Sequence, residues 1–225
     1  MPAAFLAVCL LGEAFGPQPG RFAGLPPDDG RAQALLVAVP LPPPLSFAVH
    51  PWFLTLDPRE GTWHRWEVWQ DASPPWGHVQ RDMLSPGSAC EMGGGPPRVL
   101  ARWRGEEAAR LAATLARESP RYRFRERYVA WPGPNSNTYA VEMMREAGVE
   151  ADLPASMIGR RWRGTLGVGA GAPPGGWGLA LDTPLAGVSL GLREGLEVQV
   201  LALPVGIDPW PPALRLPIGD GRLGW

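Results

Sequence analysis

About one residue in four of this chain is glycine or proline, 29 and 28 of 225, and that punctuation keeps its elements short and its connections numerous. Eleven tryptophans work against disorder, because burying such large apolar side chains offsets the entropy of ordering the chain. A loop-rich globular fold follows. With 21 basic against 22 acidic side chains, all the basic ones arginine, the chain lacks the electrostatic excess of a dedicated nucleic-acid binder.

Residues 1–30 read as an apolar stub followed by a Gly/Pro-rich linker, and 31–225 as one α+β domain. The stub, MPAAFLAVCLLG, has the length of a signal-peptide core but no positive start, and it is too short to cross a bilayer. Cys9 and Cys90 have no CxxC spacing, so neither a zinc ribbon nor a disulfide framework is supported. No apolar run reaches the roughly 18 residues of a membrane helix.

Along the chain, Ala34–Val39 and Ser46–Leu56 read as strands separated by a proline break, Leu41–Leu45. Asp57–Gly61 forms a turn into a third strand, Thr62–Gln70. Residues 71–96 form a long excursion with one strand near His78–Met83. Leu100, Trp103, Leu111 and Leu115 predict a helix within Pro97–Glu118, with a break at Gly105. Arg121–Tyr128 alternates arginine with other side chains and predicts a strand, and Thr138–Ala147 predicts a helix terminated by Gly148. Gly176–Leu181, Gly187–Leu192 and Leu196–Leu203 predict antiparallel strands, with a hairpin turn at Arg193, Glu194 and Gly195. The fold class is α+β, an antiparallel sheet packed with two or three helices.

Asn135, Ser136, Asn137 and Thr138 stand at a helix entrance, where such residues cap free N–H groups. The same position would let the helix dipole and free amides stabilise an alkoxide or oxyanion, which makes Ser136 a candidate nucleophile and Asn135 and Asn137 candidate substrate contacts. A serine needs a base. A four-residue loop, Pro58–Gly61, pairs Asp57 with Thr62 and sets Trp52 opposite Glu67, with His50 diagonal to Glu67 on the same face. In that register Glu67 could orient His50 toward Ser136 as a triad, whereas a five-residue loop would put Glu67 on the other face. A purely structural role for His50 stays open.

His50, His64 and His78 are spaced 14 residues apart with no short-range pairing, so no metal is expected, and no cofactor motif is present. Arg121, Arg123, Arg125 and Arg127 could form an anion-binding ledge or a solvated strand face; Arg125 and Arg127 are the candidate substrate contacts. Between residues 98 and 127 nine arginines face four glutamates, a local excess only. Trp52, Trp63, Trp66, Trp69 and Trp76 could line an apolar pocket or fill a core, and Trp52 is the candidate ligand contact among them.

The segments HPWF (His50–Phe53), WPGPNSNTY (Trp131–Tyr139), ASMIGRRW (Ala155–Trp162), GLREGLEVQVLAL (Gly191–Leu203) and LRLPIGDGRLG (Leu214–Gly224) resemble the bacterial domain of unknown function family 3750, over roughly residues 45–224. That resemblance brings no reaction with it, but it implies an N-terminal membrane anchor of which the short start would be a remnant. A strand histidine followed by an Asn-nucleophile-x-x-aromatic at a helix start is also similar to circularly permuted papain-like amidases and acyltransferases, a resemblance that implies a permuted papain-like core. Ser136 then stands at the cysteine position and matches the pattern with Asn135 and Tyr139. Because serine is not ionised near neutrality, the exchange implies a better-organised base or a relative that only binds. The expectation is a cell-envelope amide or ester hydrolase or acyltransferase, with a non-catalytic envelope module binding peptide, glycan or lipid headgroup as the alternative. Its partner would be a small-molecule, peptide or lipid-like substrate and no nucleic acid, with membrane association through the N-terminal segment.

Overall fold

The computed structural model describes residues 22–57, 59–88, 95–164, 169–171, 178–183, 185–192, 195–209, 212–217 and 222–224. Cys9, Cys90, Pro58, Gly93, Gly94, Arg193 and Glu194, and with them the stub, lie outside the described residues. An α+β architecture results, built on two antiparallel sheets and two α-helices among those residues.

The first sheet holds β1 (Gln33–Pro40), β2 (Val49–Asp57), β3 (Thr62–Ser73), β4 (Gly77–Arg81) and β5 (Arg98–Arg104), in the order β4-β3-β2-β1-β5. β1 is buried on both faces, which accounts for its near-continuous apolar sequence. At the β2–β3 turn the Gly61 N–H donates to Asp57 O, and Gly61 takes a positive φ of 62°. Asp57 pairs with Thr62 and Phe53 with Trp66, the register of the four-residue loop.

Residues 98–104 are a strand, not the start of a helix. β5 pairs along β1 with a register shift at Leu36/Val37, and that irregularity leaves its sequence without strict alternation. Gly105, at φ 59°, then turns the chain into α1 (Glu106–Glu118), whose Glu106 and Glu107 favour the positive helix start. Arg121–Tyr128 is likewise not a strand. After one 3-10 turn, Ser119–Arg121, successive turns bond the Arg125 N–H to Tyr122 O and the Arg127 N–H to Phe124 O, and among the described residues the His78 N–H alone reaches the segment's backbone from the sheet, at Arg125 O. Its aromatics serve packing, with Tyr122 edge-on to Tyr139 and Phe124 edge-on to Trp162.

α2 spans Ser136–Ala147, two residues longer at its start than its periodicity predicts, because Asn135 forms a capping box with Thr138. Gly148, in the left-handed conformation, closes it. Both helices pack on one face of the first sheet, where Phe53, Trp66, Leu111, Leu115, Tyr139 and Met143 form the main core. Leu35, Val37, Trp52, Leu54 and Val99 make a second core on the opposite face, joined by Phe22 from the expected linker. Each such side chain contributes about 1.5–3 kcal/mol when fully buried.

The second sheet is a meander of β6 (Gly169–Gly171), β7 (Gly178–Asp182), β8 (Ala186–Gly191), β9 (Gly195–Val200), β10 (Leu203–Pro209), β11 (Pro212–Arg215) and β12 (Arg222–Gly224). Its buried side carries Asp182, Ser189, Glu197, Asp208 and Arg215. Arg160 and Arg161, themselves buried, cross to it: Arg161 meets Asp182 at 2.6 Å and Ser189 Oγ at 2.8 Å, while Arg160 pairs with Glu197.

Candidate functional site

The β2–β3 ladder stops at Phe53/Trp66, although β2 continues back to Val49 and β3 onward to Ser73. Beyond that point the strands part, β2 staying paired to β1 and β3 to β4. Consecutive strand residues point to opposite faces. Yet Val49 with His50, and Val68 with Trp69, line one cavity of about 620 Å³, so that cavity sits in the fork itself. Its volume is typical of a small-molecule site.

Most of the lining is apolar, including Leu41, Leu45, Phe47, Tyr128, Trp131 and Ile158. The polar lining is His50 and Gln70 from the strands and Asn135, Ser136 and Asn137 from the start of α2. Thus His50, Ser136, Asn135 and Asn137 are brought to one wall, from segments separated by 85 residues of chain.

His50 Nε2 lies 3.1 Å from Glu67 Oε2, both side chains being buried. Arg65, fully buried, donates through its Nε and a terminal nitrogen to the two oxygens of Glu67, at 2.7 and 2.8 Å. Burial by itself would raise the Glu67 pKa, but the hydrogen bonds from His50 and Arg65 and their charge outweigh it and hold the carboxyl below its ordinary range. Glu67 is therefore an anion at neutral pH, and it fixes the ring of His50. With Nε2 engaged, Nδ1 is the nitrogen left for chemistry. Trp69 packs against the ring at 4.9 Å between centroids.

At the helix start, Asn135 Oδ1 accepts from the N–H groups of Asn137 and Thr138 at 3.0 and 3.1 Å. Asn135 Nδ2 donates to Ala130 O and Ile158 O, and Asn137 Nδ2 donates to Val49 O and Ile158 O. These bonds tie α2, β2 and the 154–162 loop together. They also use the amides of Asn137 and Thr138, so the first-turn donor left uncommitted among the described residues is the N–H of Ser136 itself. Among the described residues no hydrogen bond joins the Ser136 hydroxyl to His50, and the two share the cavity wall without touching through one.

Three candidate contacts fall elsewhere. Trp52 is buried beneath the Arg65 guanidinium, 4.2 Å from its ring centroid, and does not line the cavity. Arg125 donates to Pro120 O and pairs with Glu126, and Arg127 lies 5.8 Å from the ring centroid of Trp162; neither lines the cavity. The strand that would set Arg121, Arg123, Arg125 and Arg127 on one face is replaced by turns. Of the five tryptophans proposed for a pocket, Trp69 alone lines this one, and Trp66 stacks on Trp76. The three histidines do not converge: His64 pairs with Asp82 at 2.7 Å, and His78 bonds Trp69 O.

Arg65 is the residue that sequence reasoning passed over. It sits two positions before Glu67, hence on the same face of β3, and the period of two was a sufficient signal. The lining from residues 41–48, and Leu203 and Pro217 from the second half of the chain, carry no local signal.

No curated protein and no solved structure matches the chain. A family model described as protein of unknown function (DUF3750) matches residues 36–162, more than half of the chain and nearly all of the cavity wall. On that match the chain belongs to the DUF3750 family.

Proposed function

We propose that the chain is a cell-envelope amide or ester hydrolase or acyltransferase, with Ser136 as nucleophile, His50 as general base and Glu67 orienting His50. One observation carries this reading: Ser136, at the first position of α2, and His50, held by a buried anion, line the same apolar cavity. A substrate carbonyl held at the α2 entrance draws the Ser136 hydroxyl toward Nδ1 of His50, which takes the proton as Oγ bonds to carbon. The tetrahedral oxyanion then lies at the positive end of α2, near the Ser136 N–H. Collapse expels the alcohol or amine, protonated by His50, and water or an acceptor alcohol or amine releases the acyl group by the reverse steps. The lining favours substrates with an apolar acyl portion.

The order His50 on β2, Glu67 on β3 and Ser136 opening a helix supports likeness to the circularly permuted papain-like arrangement, with serine replacing cysteine. The reading is tested with a fluorophosphonate probe. Labelling at Ser136 that disappears in Ser136→Ala and slows at least about 100-fold in His50→Ala supports it. A second reading, a non-catalytic module binding a lipid-like group, is favoured by the absence of a Ser136–His50 bond among the described residues. It prevails where the probe leaves Ser136 unlabelled and a fluorescent fatty acid binds wild type and Ser136→Ala equally.

A further inference from the structure

The second sheet is amphipathic with its polar side turned inward. Its buried side holds the charges, with Asp182, Glu197 and Asp208 paired to Arg161, Arg160 and Arg215. Along β7 to β11 the outward positions of the described residues hold only aliphatic side chains and proline. Leu179 is 77% exposed, Leu190 63%, Val200 60% and Ile207 59%. Scattered apolar residues on a surface need no explanation, but a whole sheet face of them does.

We propose that this face packs against the same face of a second copy of the chain, giving a two-fold β-sandwich dimer. Ten outward Leu, Val and Ile positions on these strands are between 39% and 77% exposed, and Leu185, Leu192 and Leu201 extend the patch through the turns. At half exposure such a patch presents roughly 700 Å² of apolar surface. That exceeds the largest patch of a typical monomer, about 300–600 Å², and approaches the ~800 Å² per partner of a stable interface. An uncharged face is also self-complementary, since a two-fold axis brings no like charges together. Two such sheets stack about 10 Å apart with interleaved side chains. Among the described residues the outward strand positions carry no aromatic or basic side chain, and Arg160, Arg161 and Arg215 are turned inward.

β9 is the middle strand of the seven, so Val198 lies near the centre of the face and Leu179 toward one side. The test is sedimentation velocity of the full chain from about 0.5 to 50 µM, a range that resolves a micromolar dimer. The expected result is a dimer whose dissociation constant rises at least about 100-fold in Val198→Glu and less in Leu179→Glu. Circular dichroism stays unchanged in both variants, since each side chain projects outward, and each variant melts with the wild type once both are diluted below the dissociation constant, because only association separates them. A wild-type monomer throughout, or a dimer indifferent to Val198→Glu, overturns the proposal. A monomer that floats with neutral phosphatidylcholine vesicles overturns it in favour of a bilayer.

Discussion

His50 and Glu67 belong to strands that no longer share a ladder where they meet, so a side-chain contact of 3.1 Å spans the fork. Arg65 completes the group from the other side of the carboxylate. Buried ions of this kind add little net stability over an apolar replacement, but removing one partner leaves the others uncompensated.

Glu67→Gln should therefore destabilise the protein by about 3–5 kcal/mol, as Arg65 loses its counter-ion in a buried place. Urea unfolding measures this. Arg65→Met with Glu67→Gln should recover part of the loss, and a double variant as unstable as the sum of the single ones would deny the coupling.

The helix entrance separates two adjacent residues. Asn135→Ala removes an acceptor for two amides and a donor to two carbonyls, so it should cost at least the ~1–2 kcal/mol of a lost cap. Ser136→Ala, which removes no hydrogen bond seen among the described residues, should change stability by less than about 0.5 kcal/mol. Thermal unfolding of the two variants side by side checks the difference.

Gly159 sits at φ +79°, and a Cβ there would come within 2.5 Å of Pro132 O and 2.7 Å of Asn135 Nδ2. Gly159→Ala should cost more than about 2 kcal/mol and displace the cap of α2 from behind. Fluorophosphonate labelling should slow in this variant although residue 159 does not line the cavity.

Acid should loosen the fork. The Glu67 pKa is lowered in the folded state from an ordinary 4.5, so the unfolded chain binds the proton more readily. The stability this group adds is whole above pH 4.5 and falls away as pH drops through the folded value. In Glu67→Gln that part of the acid dependence should vanish, so urea midpoints of wild type and variant should converge as pH falls below about 4.5. Parallel curves would contradict the assignment.

The register that joins His50 to Glu67 was legible because a short turn with glycine at its positive-φ corner leaves few ways to pair two strands. The α2 entrance was legible for a similar reason, since Asn135 and Thr138 satisfy each other locally. Strand β5 was not, because its pairing depends on the bulge against β1, a long-range matter. Nor was the fate of Arg121–Tyr128, whose period of two reflects Tyr122 and Phe124 packing on separate aromatic partners. In the second sheet three strands were readable, although Leu196–Leu203 runs on across the turn at Leu201 and Ala202 that separates β9 from β10, and their facing was not. Alternation such as LEVQV is symmetric until Arg160 and Arg161, residues distant in sequence, make the polar side the inner one.

Because the fork is closed by side chains and not by a backbone ladder, the width of the cavity is written in a few side chains. A shorter acid at position 67, or a different ring at position 50 or 69, would reset the gap while the paired halves of β2 and β3 stay in place. Lineages of this fold could thus change what they admit by editing three side chains, with the scaffold acting as an adjustable jaw.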